Sequence, residues 1–562
     1  MKILFKIISA FMFMVGIVSP ALYAADIKVS GYGAVAGDGR DDSIAIQAAI
    51  KAAINKPDSV VLFDPGIYDI AAIQGSNRAL EVAGASNLKI NGAGATLRVH
   101  SVSNGIIIRD STNISLENLS FEWSSLPFSQ ARVVSVENND LIVSIVGGTT
   151  PSTAGTPVTS LFLYDEVKRR PAAGGNDWYV GGTFTGQGGG KARLSGFPSY
   201  LSRVGVGASL LIRFQTYGAN AIVCFNNRQL TFTRVSVHSA PGMAAALSGC
   251  EDVQFSYFRV LPRIDAPQWI STNADGIHAT DCRGNFSVSN SVFKALGDDA
   301  INIGGLMLLS QKGTTAREVV LHHGRAQGIG VSPPRVGDLL KFSSINEPYK
   351  VVFSASVVTS LATGLPVQQT VTLDADVPVA LQSQAVVFNS SARPVINLSR
   401  ISIERNRARG FWLQGISGDV KDCTVSGSSG PAVELRSDVY DSWEGPAPTA
   451  VRFDNCSFGD CNYGPGKSVA LINSYALDST GSISAIRAID TIAFSHCEFI
   501  ADGQLLSFKS TRSVTIANSK YSSKTATPVV ADDTTMLLES TNNVPGAGFK
   551  LVSPIAPTIS IK

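Results

Sequence analysis

Charge is scarce in this chain. Charged residues make up 16% of 562 positions, and 46 Lys and Arg nearly cancel 44 Asp and Glu, leaving a formal charge of +2. That balance excludes the basic face a nucleic-acid binder needs. Long apolar runs are missing beyond the first residues, so no later segment reads as a membrane span. The seven cysteines are an odd number, so at least one is unpaired. No CxxC spacing with nearby histidines marks a zinc site. No Ser-His-Asp arrangement, glycine-rich phosphate loop or zincin motif is present. No cofactor is implied.

The first residues do carry an apolar run. Lys2 and Lys6 precede Ile7 to Val18, and Ser19-Pro20-Ala21-Leu22-Tyr23-Ala24 offers small residues for cleavage after Ala24. This reads as a secretory signal over 1–24. No cysteine follows to take a lipid, so the expected product is exported and soluble, periplasmic or extracellular. A homodimer is left open.

What the chain has in quantity is glycine, 52 residues, and one recurring pattern: apolar, x, apolar, x, x, filler, x, apolar. It occurs at Ile114 to Phe121, Leu230 to Val237, Val253 to Val260 and Phe286 to Phe293. It returns at Ile401 to Ala408, Val451 to Phe458, Ile492 to Phe499 and Val514 to Tyr521. Alternation marks a strand with one buried face, two polar residues bend it, and a second short strand follows. Starts fall 23, 33 and 22 residues apart where nothing is inserted. Strands at such a period, with no helices between, predict a parallel β-helix. Cys423, Cys456 and Cys497 occupy the filler slot and act as small interior hydrophobes; Cys456 and Cys461 are close enough in sequence to pair across a turn.

Gly37-Asp38-Gly39 turns the chain near its start. Asp41, Asp42 or Ser43 can then cap a short helix bearing Ile44, Ile46, Ala49, Ile50 and Ala53, which would cover the open end of the solenoid. Two gaps of about 100 residues interrupt the repeat, too long for structureless loops. Both contain alternating segments of another kind, and Val206 to Phe214 resembles Val336 to Phe342. The expected class is therefore all-β, a β-helix with two inserted small β-barrels. The expected units are 25–122, coils with the capping helix; 123–215, the first barrel; 216–305, coils; 306–395, the second barrel; and 396–562, the C-terminal coils.

One stretch carries chemistry. Asn273-Ala274-Asp275-Gly276-Ile277-His278 and Gly297-Asp298-Asp299-Ala300-Ile301-Asn302 are near copies 24 residues apart, one coil. Aligned on their isoleucines, Asp275 falls on Asp299 and His278 on Asn302. Three carboxylates on neighbouring rungs split their pKa values, so one site obtains both an acid and a base. That suits hydrolysis of a glycosidic bond: one carboxyl protonates the departing oxygen, and others activate water. The competing reading is ordinary turn capping. Phe411 to Gln414 and Val433 to Arg436 fit the same frame, so His278, Asn302, Gln414 and Glu434 are expected to form a polar ladder. Arg436, Trp443 and Glu444 lie just beyond, with the tryptophan as a platform for a sugar. Adjacent His322 and His323, near Arg325, do not share a strand face, which argues against a metal site.

The opening Gly31 to Val35 with Asp38-Gly39 and Asp41-Asp42 looks like the start of pectin-active β-helix enzymes. The aspartate pair is similar to that of glycoside hydrolase family 28, the polygalacturonases. Neither the Gly-His-Gly nor the Arg-Ile-Lys segment of that family follows. The chain more closely resembles glycoside hydrolase family 110, inverting exo-α-1,3-galactosidases, over nearly the whole mature length. The likeness rests on Asn273-Ala274-Asp275, Asp298-Asp299-Ala300-Ile301-Asn302, Ala408-Arg409-Gly410 and Ser442-Trp443-Glu444-Gly445-Pro446. It implies a right-handed β-helix with two barrels, no metal, Asp298 as general acid, and Asp275 and Asp299 as the base. The expected partner is a carbohydrate with terminal α-1,3-linked galactose. A β-helix lyase, epimerase or hydrolase acting on uronates, and a non-catalytic glycan-binding β-helix, are the alternatives.

Overall fold

The computed structural model describes residues 25–56, 58–173, 177–179, 181–197, 201, 204–325, 332–361, 367–464, 470–524, 529–531, 537–541, 551–552 and 558–561. The expected signal, 1–24, lies outside the described residues. The chain winds as a right-handed parallel β-helix. Among the described residues, its coils stack through sheets of 21 and 13 strands, parallel in almost every pairing.

The repeat explains the coil. Its second polar residue adopts the left-handed conformation: Asn118, Arg234, Tyr257, Asn290, Asp422, Asn455, His496 and Asn518 all have φ between 50° and 54°. Asparagine tolerates that region better than most residues and fills four of these eight places. The bend turns the next side chain inward, and Leu119, Val235, Phe258, Ser291, Cys423, Cys456 and Cys497 are all buried there. Identical positions then stack along the axis. Phe232 lies on Phe255 at 4.6 Å, and Phe453 on Phe494 at 4.9 Å. One continuous apolar core results, running from Ile27 to Ala531.

Three expectations need correction. The coil placed at Ile401 to Ala408 begins five residues earlier. Phe286 pairs with Ile396 and Val288 with Leu398, so Ile401 is the filler and Ile403 the inward residue of the second strand. Cys456 and Cys461 do not pair; each thiol hydrogen-bonds to carbonyls of its own coil and the one below. The helix Ser43–Ile54 buries Ile46, Ala49, Ile50 and Ala53, but Ile44 lies on the opposite face and is 78% exposed.

Both insertions are antiparallel and carry their own cores. The second closes into a six-stranded barrel between Leu308 and Asn389. The first is a curled sheet of nine strands among the described residues, spanning Phe128 to Arg213. Their shared segment is structurally equivalent. Gly207 and Gly337 have φ of 90° and 89°, and each turn leads into a strand, Ser209–Arg213 or Leu339–Ser344. Both units fold back on the coils. Arg170 of the first pairs with Asp460 and sits 3.9 Å over the Tyr463 ring. In the second, Tyr349 Oη donates to the carbonyls of Ser437 and Leu477 at 2.9 and 2.7 Å. No helix of the described residues is long and apolar enough to cross a membrane.

Candidate active site

The two near-copies lie on consecutive rungs in the register their alignment implies. Ile277 pairs with Ile301 and His278 with Asn302. Asp275 stands two residues before the strand Ile277–Thr280, and Asp298 and Asp299 stand just before Ile301–Leu306. Asp275, Asp298 and Asp299 are 3%, 5% and 2% exposed, and one oxygen of each lies within 4.8 Å of the others.

Each carboxyl has a cation. His278 Nδ1 lies 2.7 Å from Asp275 Oδ2, and the Asp299 N–H donates to Asp275 Oδ1 at 3.2 Å. Arg407 donates to Asp298 Oδ1 at 2.5 Å, and Tyr217 Oη donates to Asp298 Oδ2 at 2.7 Å. The Arg409 N–H donates to Asp299 Oδ1 at 2.6 Å, while its guanidinium reaches Oδ2 at 3.2 Å. Three such oxygens could hold a cation, but the protein's own donors already engage them.

These partners divide the titration. Burial pushes Asp299 up to about 8 against the pull of Arg409, and the charges of Asp298 and Asp275 add to the rise. Burial also raises Asp275. Burial would raise Asp298 too, but Arg407, the Tyr217 hydrogen bond, Arg213 and Arg409 together hold it below the usual carboxylate range. His278 is raised to about 9 because its contact with Asp275, helped by Glu444 and Asp299, outweighs burial. Asp299 is thus the carboxyl that favours its protonated form near neutral pH, and Asp298 the one that favours its ionised form. This split between neighbouring carboxyls is what acid–base chemistry requires.

The polar ladder differs from expectation at one rung. Asn302 pairs with Trp412, and Trp412 with Glu434. Gln414 lies two residues farther along that strand direction, level with Gly304, and packs against it. The shared frame was set by Phe411, which pairs with Ile301 and Val433. Glu434 is buried; Arg409 donates to it at 3.2 Å and Tyr475 at 2.7 Å, and against burial the charges of Arg409 and Arg436, with the Tyr475 hydrogen bond, lower its pKa. Arg409 and Arg436 lie 3.9 and 5.7 Å from the Trp412 ring. Glu444 faces His278 and Gln414, and burial raises its pKa. Trp443 is not a platform. It is 7% exposed and packs with Met307, Leu309, Val386, Phe388 and Val439 where the second insertion meets the coil. His322 and His323 sit next to each other on Glu318–His323, half-buried and buried; burial lowers His323 to about 4.

Sequence reasoning missed several residues. Arg409 was within reach: it precedes Phe411 by two, as Asp275 precedes Ile277 and Asp299 precedes Ile301. Arg407 lies two residues earlier. Tyr217, Tyr179 and Arg213 come from the first insertion and its return, and no local pattern announces them. Tyr179 Oη lies 3.2 Å from Tyr217 Oη and accepts from Arg407 at 3.3 Å. Buried Arg213 donates at 2.9 Å to both Asn273 O and Gly297 O, the carbonyls leading into the two aspartate turns. Asn273 Nδ2 donates in turn to Pro127 O and Gln215 O at the two ends of the insertion. The insertion is thus built into the site.

Tyr217→Phe tests that contact. The hydroxyl stabilises the ionised form of Asp298, so its loss should raise the Asp298 pKa. The alkaline limb of the pH–rate profile, set by loss of the proton that Asp299 and Asp298 share, should move to higher pH, measured as kcat/KM against pH.

No protein-family model matches the chain. Among curated proteins, it is 22% identical over 457 residues to alpha-1,3-galactosidase B of Akkermansia muciniphila, covering 75% of this chain but 56% of that relative. It is 21% identical over 481 residues to alpha-1,3-galactosidase A of Shewanella woodyi, covering 79% of this chain and 77% of the relative. Among solved structures it superposes on the A-module of the Azotobacter vinelandii mannuronan C-5 epimerase AlgE4 with TM-score 0.41 and 11% identity, covering 95% and 99% of the two chains. The family 28 exopolygalacturonase of Yersinia enterocolitica gives TM-score 0.41 and 12% identity, covering 96% and 78%. By sequence, the chain is a distant relative of carbohydrate-acting enzymes.

Proposed function

We propose that the protein is an exported glycoside hydrolase that removes terminal α-1,3-linked galactose from glycans with inversion. One observation carries the chemistry: three buried carboxyls on adjacent rungs, each beside a cation, an arrangement that raises Asp299 to about 8 and holds Asp298 below the usual carboxylate range. The curated relatives, named as alpha-1,3-galactosidases, support the choice of sugar and linkage.

In this reading the proton held by Asp299 passes to Asp298, which delivers it to the departing oxygen, while Asp299, now ionised, and Asp275 hold the attacking water and take its proton. Arg407 keeps Asp298 ionised in the free protein, so the glycan must displace it before Asp298 can act. The proton required is stored one residue away on Asp299. His278 pairs with Asp275 and offsets part of the rise that burial imposes on it. Asn302, Gln414, Glu434, Arg436 and Glu444 are assigned to the hydroxyls of the terminal sugar, with Trp412 taking the part first given to Trp443.

The charge pattern favours a neutral sugar over a uronate. Arg409 is shared between Asp299 and Glu434, and Arg436 between Glu434 and Asp438. Arg407 is held by Asp298. A uronate carboxylate would enter a pocket whose cations are already neutralised, at a cost in desolvation.

The proton on Asp299 sets the alkaline limit. A carboxyl raised to about 8 is protonated below that pH and loses its proton as pH rises through it. Turnover should therefore fall above about pH 8, which a pH–rate profile on Gal-α-1,3-Gal would display. A screen of α-1,2-, α-1,3-, α-1,4- and α-1,6-linked terminal galactosides tests the substrate. Release of galactose from the α-1,3 compound is expected; turnover of a uronate polymer with none from galactosides would overturn the proposal.

A further inference from the structure

The face bearing the site is closed at one end and open at the other. In the ladder position, Asn302, Trp412 and Glu434 are buried, whereas Val223, Ala246 and His278 on the preceding rungs are half-exposed. Two residues along each strand, the row Arg109, Phe225, Ser248, Thr280 and Gly304 runs in unbroken parallel register towards Gln414. The rungs before the aspartates thus present a more open face than those after them.

Arg109, Phe225 and Ser248 of that row line a cavity of about 740 Å³, together with Asp281 and the Ser332–Arg335 segment returning from the second insertion. Its size falls within the range of small-ligand sites. Phe225 and Gly304 are three rungs apart, or roughly 14 Å at ~4.8 Å per rung. The cavity's cations are committed. Arg109 pairs with Glu81 at 2.8 Å, Arg283 with Asp338 at 2.6 Å, and Arg335 with Glu251. What remains is one aromatic ring beside Pro333, Pro334 and Val336, with serine hydroxyls, two asparagine amides and the carboxylates of Asp110 and Asp281, the mix of apolar face and hydrogen-bonding edges that a neutral sugar uses.

Resting on the proposed function, we infer that this cavity is a second sugar subsite, which binds a neutral glycosyl unit on the leaving-group side of the bond cleaved. The terminal galactose would occupy the closed pocket, and the rest of the glycan would run over Ala246 and Val223 into the cavity. Phe225 is then a specificity residue for glycan length and makes no contact with the reacting bond.

The test compares kcat/KM on Gal-α-1,3-Gal with that on a neutral pentasaccharide bearing the same terminus. The wild-type protein should prefer the pentasaccharide. Phe225→Ala should reduce that ratio by up to about tenfold, the worth of one aromatic contact, and Phe225→Trp should restore it. Equal kcat/KM on both lengths, or a preference that survives Phe225→Ala, overturns the subsite. If neither compound is hydrolysed, the proposed function fails separately. Calorimetric binding of the tetrasaccharide lacking the terminal galactose then decides: binding weakened by Phe225→Ala supports the subsite, and no binding, or binding unaffected by the substitution, overturns it.

Discussion

Asp298→Asn is expected to lower kcat/KM on Gal-α-1,3-Gal by about 10³–10⁴-fold while costing far less on an aryl α-galactoside. A galactose leaving group cannot depart as an alkoxide, so it needs the acid. An acidic phenol departs without a proton, so an acid variant recovers on it. Asp275→Asn and Asp299→Asn should stay slow on both substrates, because water must still be activated. The contrast matters because the resting protein holds Asp298 ionised between Arg407 and Tyr217, with the proton on Asp299. If Asp299→Asn recovers on the aryl substrate and Asp298→Asn does not, the acid is Asp299. Asparagine keeps the shape of each carboxyl, and thermal melting would confirm that the variants remain folded.

Gly297→Ala should reduce kcat by about 10²-fold with the coil intact. The added methyl would lie 2.4 Å from Asn273 O and 2.9 Å from Thr272 O, both backbone atoms of the turn that leads to Asp275. Neither contact can be relieved by a side-chain rotation, so the two aspartate turns must separate. Gly297 O is also where Arg213 and Arg407 converge, each at 2.9 Å. Moving it therefore disturbs the group that fixes Asp298. Near-normal melting with a collapsed kcat is the expected result, read from calorimetry and steady-state kinetics; an unchanged kcat would mean that the spacing of the two turns does not matter.

The coil was legible because its determinants are local. A left-handed residue, a filler and an alternating strand recur within each repeat, and a misplaced start at Ile401 shows the resolution of that reading rather than its failure. The aspartates were legible because neighbouring rungs turn sequence repetition into adjacency, which the pairing of His278 with Asn302 follows. Trp412 and Arg409 lay in the same frame, but the long second insertion separates their rung from Asn302 and obscured the alignment. Tyr217 reaches Asp298 across 81 residues and Arg213 reaches Gly297 across 84, through an insertion whose docking depends on tertiary packing. Trp443 was misjudged for a related reason: whether a tryptophan lies open or beneath a domain depends on where that domain folds back.

The number of carboxyls and their closeness bear on stereochemistry. Inverting glycosidases usually separate acid and base by about 6.5–9.5 Å, and retaining ones by about 5–5.5 Å. Here one oxygen of each carboxyl lies within 4.8 Å of the others. Both oxygens of each of the three carboxyls accept hydrogen bonds in the free protein, so the carboxyl that acts on carbon or on water must first release a donor. Under the proposed inversion, the nucleophile would be a water held between Asp275 and Asp299. Proton NMR of Gal-α-1,3-Gal hydrolysis, recorded before mutarotation, tests the account most directly. It predicts that β-galactose appears first; α-galactose appearing first, or an unsaturated sugar, would contradict it.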